Sequence, residues 1–297
     1  MLFRARDKTF DLTNKALIVG IVNATPDSFS DGDPMGIEHA ERRATELAEQ
    51  GADVIEVGGE SNVSNRPAVE ADEEIERVVP AVEAAAATGL AVAIDTYKPP
   101  VAAAAIEAGA TIVNDISGLG DPLMHELVAS TGAGTVLMHT ETPPKQVRWE
   151  EDLYPEGLSV HLTRFFEDRL ATLAAAGIGA EQVALDPGPD FAKTPRQTVE
   201  SLRALSEISV LGRPVYLAVS RKDFIGALTH TRPSERGPGT YAALASGLLS
   251  CGRLLRVHDV VGTRRFLTVW EALNDPAFEV PADLRIDDAV RREQGDG

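Results

Sequence analysis

Short apolar runs rich in β-branched residues alternate along the chain with longer segments in which alanine, leucine and glutamate recur at helical spacing. The apolar runs are Leu17 to Val22, Val54 to Val57, Ala91 to Ile94, Thr111 to Val113, Thr135 to Met138, Val183 to Leu185, Val215 to Val219, and Leu254 to Val257. Between and after them the spacing predicts helices over residues 36–50, 70–88, 98–108, 121–131, 157–176, 195–208, 238–252 and 259–274. Strands apolar on both faces must be covered on both, and strict strand-to-helix alternation does this by closing a parallel sheet inside a ring of helices. Eight such units predict an α/β fold, a single-domain (β/α)8 TIM barrel, over residues 1–275. Gly51, Gly89, Gly109 and Gly177 sit where helix C-termini favour a left-handed residue. The similar stretches Glu49 to Ile55 and Glu107 to Ile112 read as a repeated helix-to-strand turn, not a duplicated function. Residues 276–297, with Pro281 and many charges, read as a charged C-terminal tail.

Composition narrows the class of partner. A chain of 297 residues, 43% hydrophobic and 25% charged, can fill one barrel core and cover its surface. The formal net charge of −18 argues against a nucleic-acid partner, since phosphate backbones call for a basic stripe. Cys251 is the one cysteine, so no internal disulfide forms. The N-terminus has no signal-peptide pattern, and the run Ala16 to Val22 is far shorter than the roughly 20 residues a bilayer span needs. The expected compartment is the cytoplasm, with no membrane partner.

In α/β barrels ligands are handled where strands end. Here the eight runs are followed by Asn23; Glu60 with Ser61; Asp95; Asn114 with Asp115; His139; Asp186; Ser220, Arg221 and Lys222; and Arg256 with His258. Any one of these could be a turn or capping residue. As a set they predict a pocket at one face. Arg256 and His258 flank Val257 in one strand and so share a face, where a buried guanidinium needs an anionic partner. Asp186 opens the rigid turn Asp186-Pro187-Gly188-Pro189. Asp95 and Asp186 with Asn114 supply acceptors for a flat heterocycle with an edge of N–H groups, while Lys222, Arg256 and His258 supply a cationic side for phosphate or pyrophosphate.

The segment Val22-Asn23-Ala24-Thr25-Pro26-Asp27-Ser28-Phe29-Ser30-Asp31-Gly32 resembles the first signature of the dihydropteroate synthase family. Gly58-Gly59-Glu60-Ser61, Ile94-Asp95-Thr96-Tyr97-Lys98, Asn114-Asp115-Ile116-Ser117, Leu137-Met138-His139, Asp186-Pro187-Gly188, Ser220-Arg221-Lys222 and Arg256-Val257-His258-Asp259 extend the resemblance. It implies condensation of p-aminobenzoate with 6-hydroxymethyl-7,8-dihydropterin pyrophosphate, in folate biosynthesis, with release of pyrophosphate. It further implies that Asp95, Asn114, Asp186, Lys222, Phe191 and Met138 hold the pterin, and that Asn23, Arg256 and His258 take the pyrophosphate. Asn23 would also touch a Mg²⁺ ion, Asp31, Asp95 and Lys222 would be the catalytic residues, and the protein would be a homodimer. The implied chemistry needs positioning and charge stabilisation more than a strong base, because pyrophosphate loss leaves a resonance-stabilised cation.

Departures from the family pattern gather on the aminobenzoate side, where Ser220, Phe191, Asn62 and Val63 would lie. The family follows its second strand with Gly-Gly-Glu-Ser-Thr-Arg-Pro-Gly, whereas here Glu60-Ser61 runs on into Asn62-Val63-Ser64-Asn65. Ungapped spacing to Glu73-Glu74 puts Val63 in the arginine position, and Arg66-Pro67 comes three residues late. Valine offers no fork of donors, so the expectation is a retained pterin pocket with weak or absent synthase activity, as in divergent second synthase copies of actinobacteria. Glu56 replaces a usual aspartate, Asp33 and Ala218 replace glycines, and Asp190 adds a carboxylate expected to repel an anionic substrate. Three alternatives remain: a fully active synthase using Arg66, a pterin-dependent methyltransferase, and a non-catalytic pterin-binding protein. His39, His125, His161 and His230 lack zinc-site spacing and read as surface or local structural residues, Cys251 as a packed thiol.

Overall fold

The computed structural model describes residues 1–24, 37–60, 67–146 and 153–286. It opens with an antiparallel hairpin, β1 (Leu2–Ala5) and β2 (Lys8–Asp11). The eight expected units follow: β3 (Leu17–Asn23), α1 (Ile37–Glu49), β4 (Val54–Gly58), α2 (Ala71–Ala87), β5 (Ala91–Asp95), α3 (Pro99–Glu107), β6 (Ile112–Asp115), α4 (Pro122–Thr131), β7 (Gly134–Met138) and α5 (Leu158–Ala175). After them come β8 (Val183–Asp186), α6 (Pro195–Arg203), α7 (Leu205–Ser209), β9 (Val215–Leu217), α8 (Asp223–Thr229), α9 (Gly237–Leu248), β10 (Gly252–Val257) and α10 (Val260–Asn274). Strands β3 to β10 pair in parallel and in chain order, and β10 closes on β3, giving the TIM barrel.

Strand alternation divides the apolar residues between two cores. Residues such as Ile18, Val22, Ile55, Val57, Ile94, Leu137 and Leu255 pack outward against the helices. Leu17, Val19, Val54, Ala93, Ile112, Val136, Tyr216 and Leu254 fill the barrel itself, where Phe3, Ala5 and Leu12 join them. The hairpin therefore plugs the end of the barrel opposite the polar rim. Gly134 is glycine because a Cβ there would lie 2.9 Å from the Phe3 ring and 3.0 Å from Ala5. Arg6, at φ 58° in the hairpin turn, donates to the carbonyls of Ile106 and Ala110 and ties the plug to the end of α3.

Two departures from the predicted elements have physical causes. The helix expected over 195–208 breaks at Ala204, whose ψ of 3° leaves helical geometry and starts α7 in a new direction. Helix α8 is absent from the predicted set because its cap is tertiary: the Asp223 amide donates to the Asp190 carboxylate at 2.6 Å, 33 residues away in sequence. Asp190 also accepts from the Thr198 hydroxyl at 3.1 Å, so the carboxylate expected to repel a substrate is tied into the joint between α6 and α8. The four glycines predicted to end helices all have positive φ. Residues 276–286 are exposed and carry no helix or strand, and among the described residues no helix is long and apolar enough to cross a membrane.

Candidate active site

The strand ends meet in register. Asn23 stands opposite Gly58, Gly58 opposite Asp95, and Asp95 opposite Asn114. Further round the barrel Met138 stands opposite Asp186. Asp95, Asn114, Met138 and Asp186 are all buried, whereas Asn23 is exposed at the rim.

Glu56 is the centre of the polar network, a role its sequence position alone does not disclose. Fully buried in β4, it accepts from the Tyr216 hydroxyl at 2.5 Å and from Asn114 Nδ2 at 3.1 Å. Its other oxygen accepts from Arg256 Nε, and Arg256 Nη2 donates to Asp95 Oδ2 at 3.0 Å. The anionic partner that a buried guanidinium requires is thus supplied twice, from β4 and from β5. Burial works against the arginine's charge, but Glu56 and Asp95 outweigh it and raise its pKa. A guanidinium carries five N–H donors, so these two bonds leave donors for an incoming anion. Among the described residues Asn114 Oδ1 has no hydrogen-bond partner, and it stands beside Asp95 as an acceptor.

Asp186 begins a tightly wound loop. Its Oδ1 accepts from the Gly188 amide at 2.7 Å, and Gly188, Asp190 and Ala192 all adopt positive φ. At Gly188 a Cβ would stand 2.2 Å from the His139 carbonyl oxygen, so no other residue fits. Lys193, buried and absent from the predicted site, clamps the loop from within by donating to the carbonyls of Gly188 at 3.0 Å, Phe191 at 3.2 Å and His139 at 3.3 Å. Desolvation lowers its pKa to about 7 although Asp186 opposes the change. Its signal in sequence is only a lysine close behind the Asp-Pro-Gly turn. Asp115 points into its own turn, where it accepts from the Ser117 amide at 2.7 Å.

The cationic side is formed after β9 and β10. Lys222 Nζ lies 4.5 Å from the centre of the Phe191 ring, and its pKa is lowered by desolvation while Asp190 pulls the other way. Ser220 Oγ pairs with His258 Nδ1 at 2.9 Å and accepts from the His258 amide at 3.3 Å. Desolvation, with Arg256, Arg221 and Lys222 adding repulsion, pushes the His258 pKa down to about 4, so the ring is neutral near pH 7.

Burial pushes Asp186 up to about 6, only partly offset by the Gly188 amide and by Lys222, Lys193 and Arg256. If Asp186 accepts the paired N–H donors of a pterin, as the resemblance implies, it must be ionised, so protons compete with that ligand below this value. Affinity for a phosphate-free pterin is therefore expected to be flat above about pH 7 and to fall towards tenfold per pH unit below about 6. Fluorescence titration across that range checks it, and an affinity unchanged down to about pH 5 contradicts it. Omitting the pyrophosphate separates this effect from His258, whose protonation favours anions and so has the opposite sign.

At the start of the loop after β4, Glu60 is held from four sides. It accepts from Lys98 at 2.5 Å, the Val69 amide at 3.1 Å and the Tyr97 hydroxyl at 3.3 Å, and it pairs with Lys145 at 3.1 Å. Lys98 also reaches the Val69 carbonyl at 2.6 Å and the Glu74 carboxylate. This cluster ties Glu60, just after β4, to Val69, just before α2. Asn62, Val63, Arg66, Asp31 and Asp33 lie outside the described residues.

Residues 19–258 match the family described as pterin binding enzyme. The dihydropteroate synthase of Bacillus subtilis (strain 168) is 38% identical over 262 residues, which are 87% of this chain and 89% of that protein. That of Escherichia coli (strain K12) is 36% identical over 270 residues, 90% and 95% of the two chains. Among solved structures, Xanthomonas albilineans dihydropteroate synthase with 4-aminobenzoic acid aligns at a TM-score of 0.83 with 36% identity, covering 95% of this chain and 100% of that one. The Thermus thermophilus enzyme in complex with 6HMPPP aligns at 0.78 with 37% identity, covering 92% and 100%. With identity at this level sustained over nearly the whole of each relative, the chain belongs to the dihydropteroate synthase family.

Proposed function

We propose that the barrel binds 6-hydroxymethyl-7,8-dihydropterin pyrophosphate and joins it to p-aminobenzoate, with turnover lowered by the altered loop after β4. The observation that carries this reading is the linked cluster of Glu56, Asp95, Asn114 and Arg256 at the same mouth as Asp186 and Lys222. In it, Asp95, Asn114 and Asp186 accept the pterin edge, Lys222 holds the ring from the Phe191 side, and Met138 packs beneath. Arg256 and the imidazole of His258 face the pyrophosphate, and Ser220 holds both the ring and the amide of His258. The C–O bond to pyrophosphate breaks to leave the resonance-stabilised pterin methylene cation, the amine of p-aminobenzoate bonds to that carbon and its surplus proton is released to solvent, so the residues mainly position and screen charge.

Asn23 suits a magnesium ion. Its amide is exposed at the rim, makes no side-chain hydrogen bond among the described residues, and offers one hard oxygen. Magnesium typically takes one or two protein oxygens and completes its shell with water and substrate phosphate, where it neutralises leaving-group charge. The same reading includes a homodimer, supported by the groove that α6, α8 and α9 leave outside the barrel, lined by Val199, Leu202, Phe224, Leu228 and Ala243.

Removing one donor to a developing charge costs about 10²–10³ in rate. Pyrophosphate release by the wild-type chain is therefore expected to depend on p-aminobenzoate and to run well below that of the Bacillus subtilis relative. Asn62→Thr/Val63→Arg, which restores the family's Thr-Arg, is expected to raise kcat/KM at least about tenfold. A wild-type rate equal to the relative's would mean that Arg66 replaces the missing arginine and would remove the loop argument. Tight pterin binding with no release would favour a non-catalytic binding protein.

A further inference from the structure

Just outside the pterin pocket, three residues gather that the proposed reaction does not use. His139 follows β7, and because successive side chains alternate, its ring faces α5 while Met138 faces the mouth. The ring is fully buried, fixed edge-on to Phe165 at 4.8 Å between centroids and packed near Phe166 at 6.5 Å. Among the described residues neither ring nitrogen has a hydrogen-bond partner. Buried polar atoms are nearly always satisfied, so two orphaned nitrogens on one immobilised ring call for an explanation. His139 Nε2 lies 3.4 Å from Glu141 Oε1, and that same oxygen lies 2.5 Å from His161 Nε2 on α5.

We propose that His139, Glu141 and His161 form a binding site for a divalent transition-metal cation of the zinc type, separate from the pterin pocket. One ligand atom from each residue falls within 4.8 Å of the others. Tetrahedral zinc with ligands at about 2.0–2.2 Å sets those atoms roughly 3.4 Å apart. The pair His139 and Glu141 already has that spacing, and His161, with 35% of its side chain exposed, is the partner able to adjust. Two imidazoles and one carboxylate favour zinc, cobalt or nickel over magnesium, which prefers oxygen. Three protein ligands leave a fourth position for water or another small donor. The cation would staple the segment after β7 to α5. It would do so beside the pterin loop, since the His139 amide donates to the Asp186 carbonyl at 2.8 Å and the His139 carbonyl accepts from Lys193. The spacing is hidden in the sequence because His161 reaches the pair from a different element, after an intervening loop.

This inference does not depend on the proposed reaction. Metal-free full-length chain titrated with zinc chloride in millimolar magnesium is expected to bind one ion at micromolar or lower Kd. Glu141→Gln and His161→Ala are each expected to weaken it about 100-fold with unchanged circular dichroism. Cobalt added instead is expected to give the intense visible bands of a tetrahedral site. The two variants keep the buried His139, so loss of the fold does not confuse the result. Absence of saturable binding, or binding that both variants leave intact, would overturn the proposal.

Discussion

Replacing Glu56 by alanine is expected to destabilise the folded chain by about 3 kcal/mol, because it leaves a part-buried guanidinium, a buried phenol and a buried amide without their shared acceptor. The magnitude separates this contact from the many exposed pairs. Glu46, paired on the surface of α1 with Arg42 at 3.8 Å and Arg43 at 3.4 Å, contributes at most about 1 kcal/mol, and Glu46→Ala serves as the control. Burial makes the difference: Glu56, Tyr216 and Asn114 are enclosed, and only the part-buried Arg256 can turn to water. Glu56→Asp, the residue usual in the family, is expected to fall between the two, since a shorter side chain cannot reach Tyr216, Asn114 and Arg256 together. Urea denaturation measures all three, and a loss below about 1 kcal/mol for Glu56→Ala would show that Arg256 finds other partners.

Asp186→Asn is expected to weaken pterin binding by about 10²–10³, with little change in stability. The substitution keeps an oxygen for the Gly188 amide, so the loop that Lys193 clamps can persist. It removes the negative charge from the pterin's paired N–H donors and sets an amide N–H against one of them. Charge-assisted hydrogen bonds are worth about 1.5–3 kcal/mol, and a donor facing a donor adds the cost of an unsatisfied buried group. A loss smaller than about tenfold would place the heterocycle elsewhere in the barrel.

Local periodicity governs what can be read from the sequence. All eight barrel strands lie where apolar runs mark them, because a strand covered on both faces carries few polar residues before the rim, Glu56 in β4 being an exception. For the same reason most of the rim residues stand out as the first polar side chain after such a run, whereas Arg256 lies within its strand. The hairpin at residues 2–11 is invisible by this measure: Arg4, Lys8 and Asp11 break its apolar pattern, and only Phe3, Ala5 and Leu12 enter the core. Features made by contacts between distant segments are equally hidden. The capping of α8 by Asp190, the carbonyl cage around Lys193 and the four-way junction at Glu56 each need the fold before their partners are known. Glu56 stands out in the sequence as a departure from the family, but the reach that its additional methylene gives towards Tyr216 does not. Among the histidines, His125 is structural as expected, bonded to the Leu119 carbonyl at 2.7 Å, whereas His161 meets His139 and Glu141.

Calorimetric titration of the wild-type chain with 6-hydroxymethyl-7,8-dihydropterin pyrophosphate in the presence of magnesium tests the central claim most directly. Saturable binding of one molecule per chain, weakened about 10²–10³-fold by Asp186→Asn, is the predicted result. A flat isotherm for the intact, folded wild type would contradict the account.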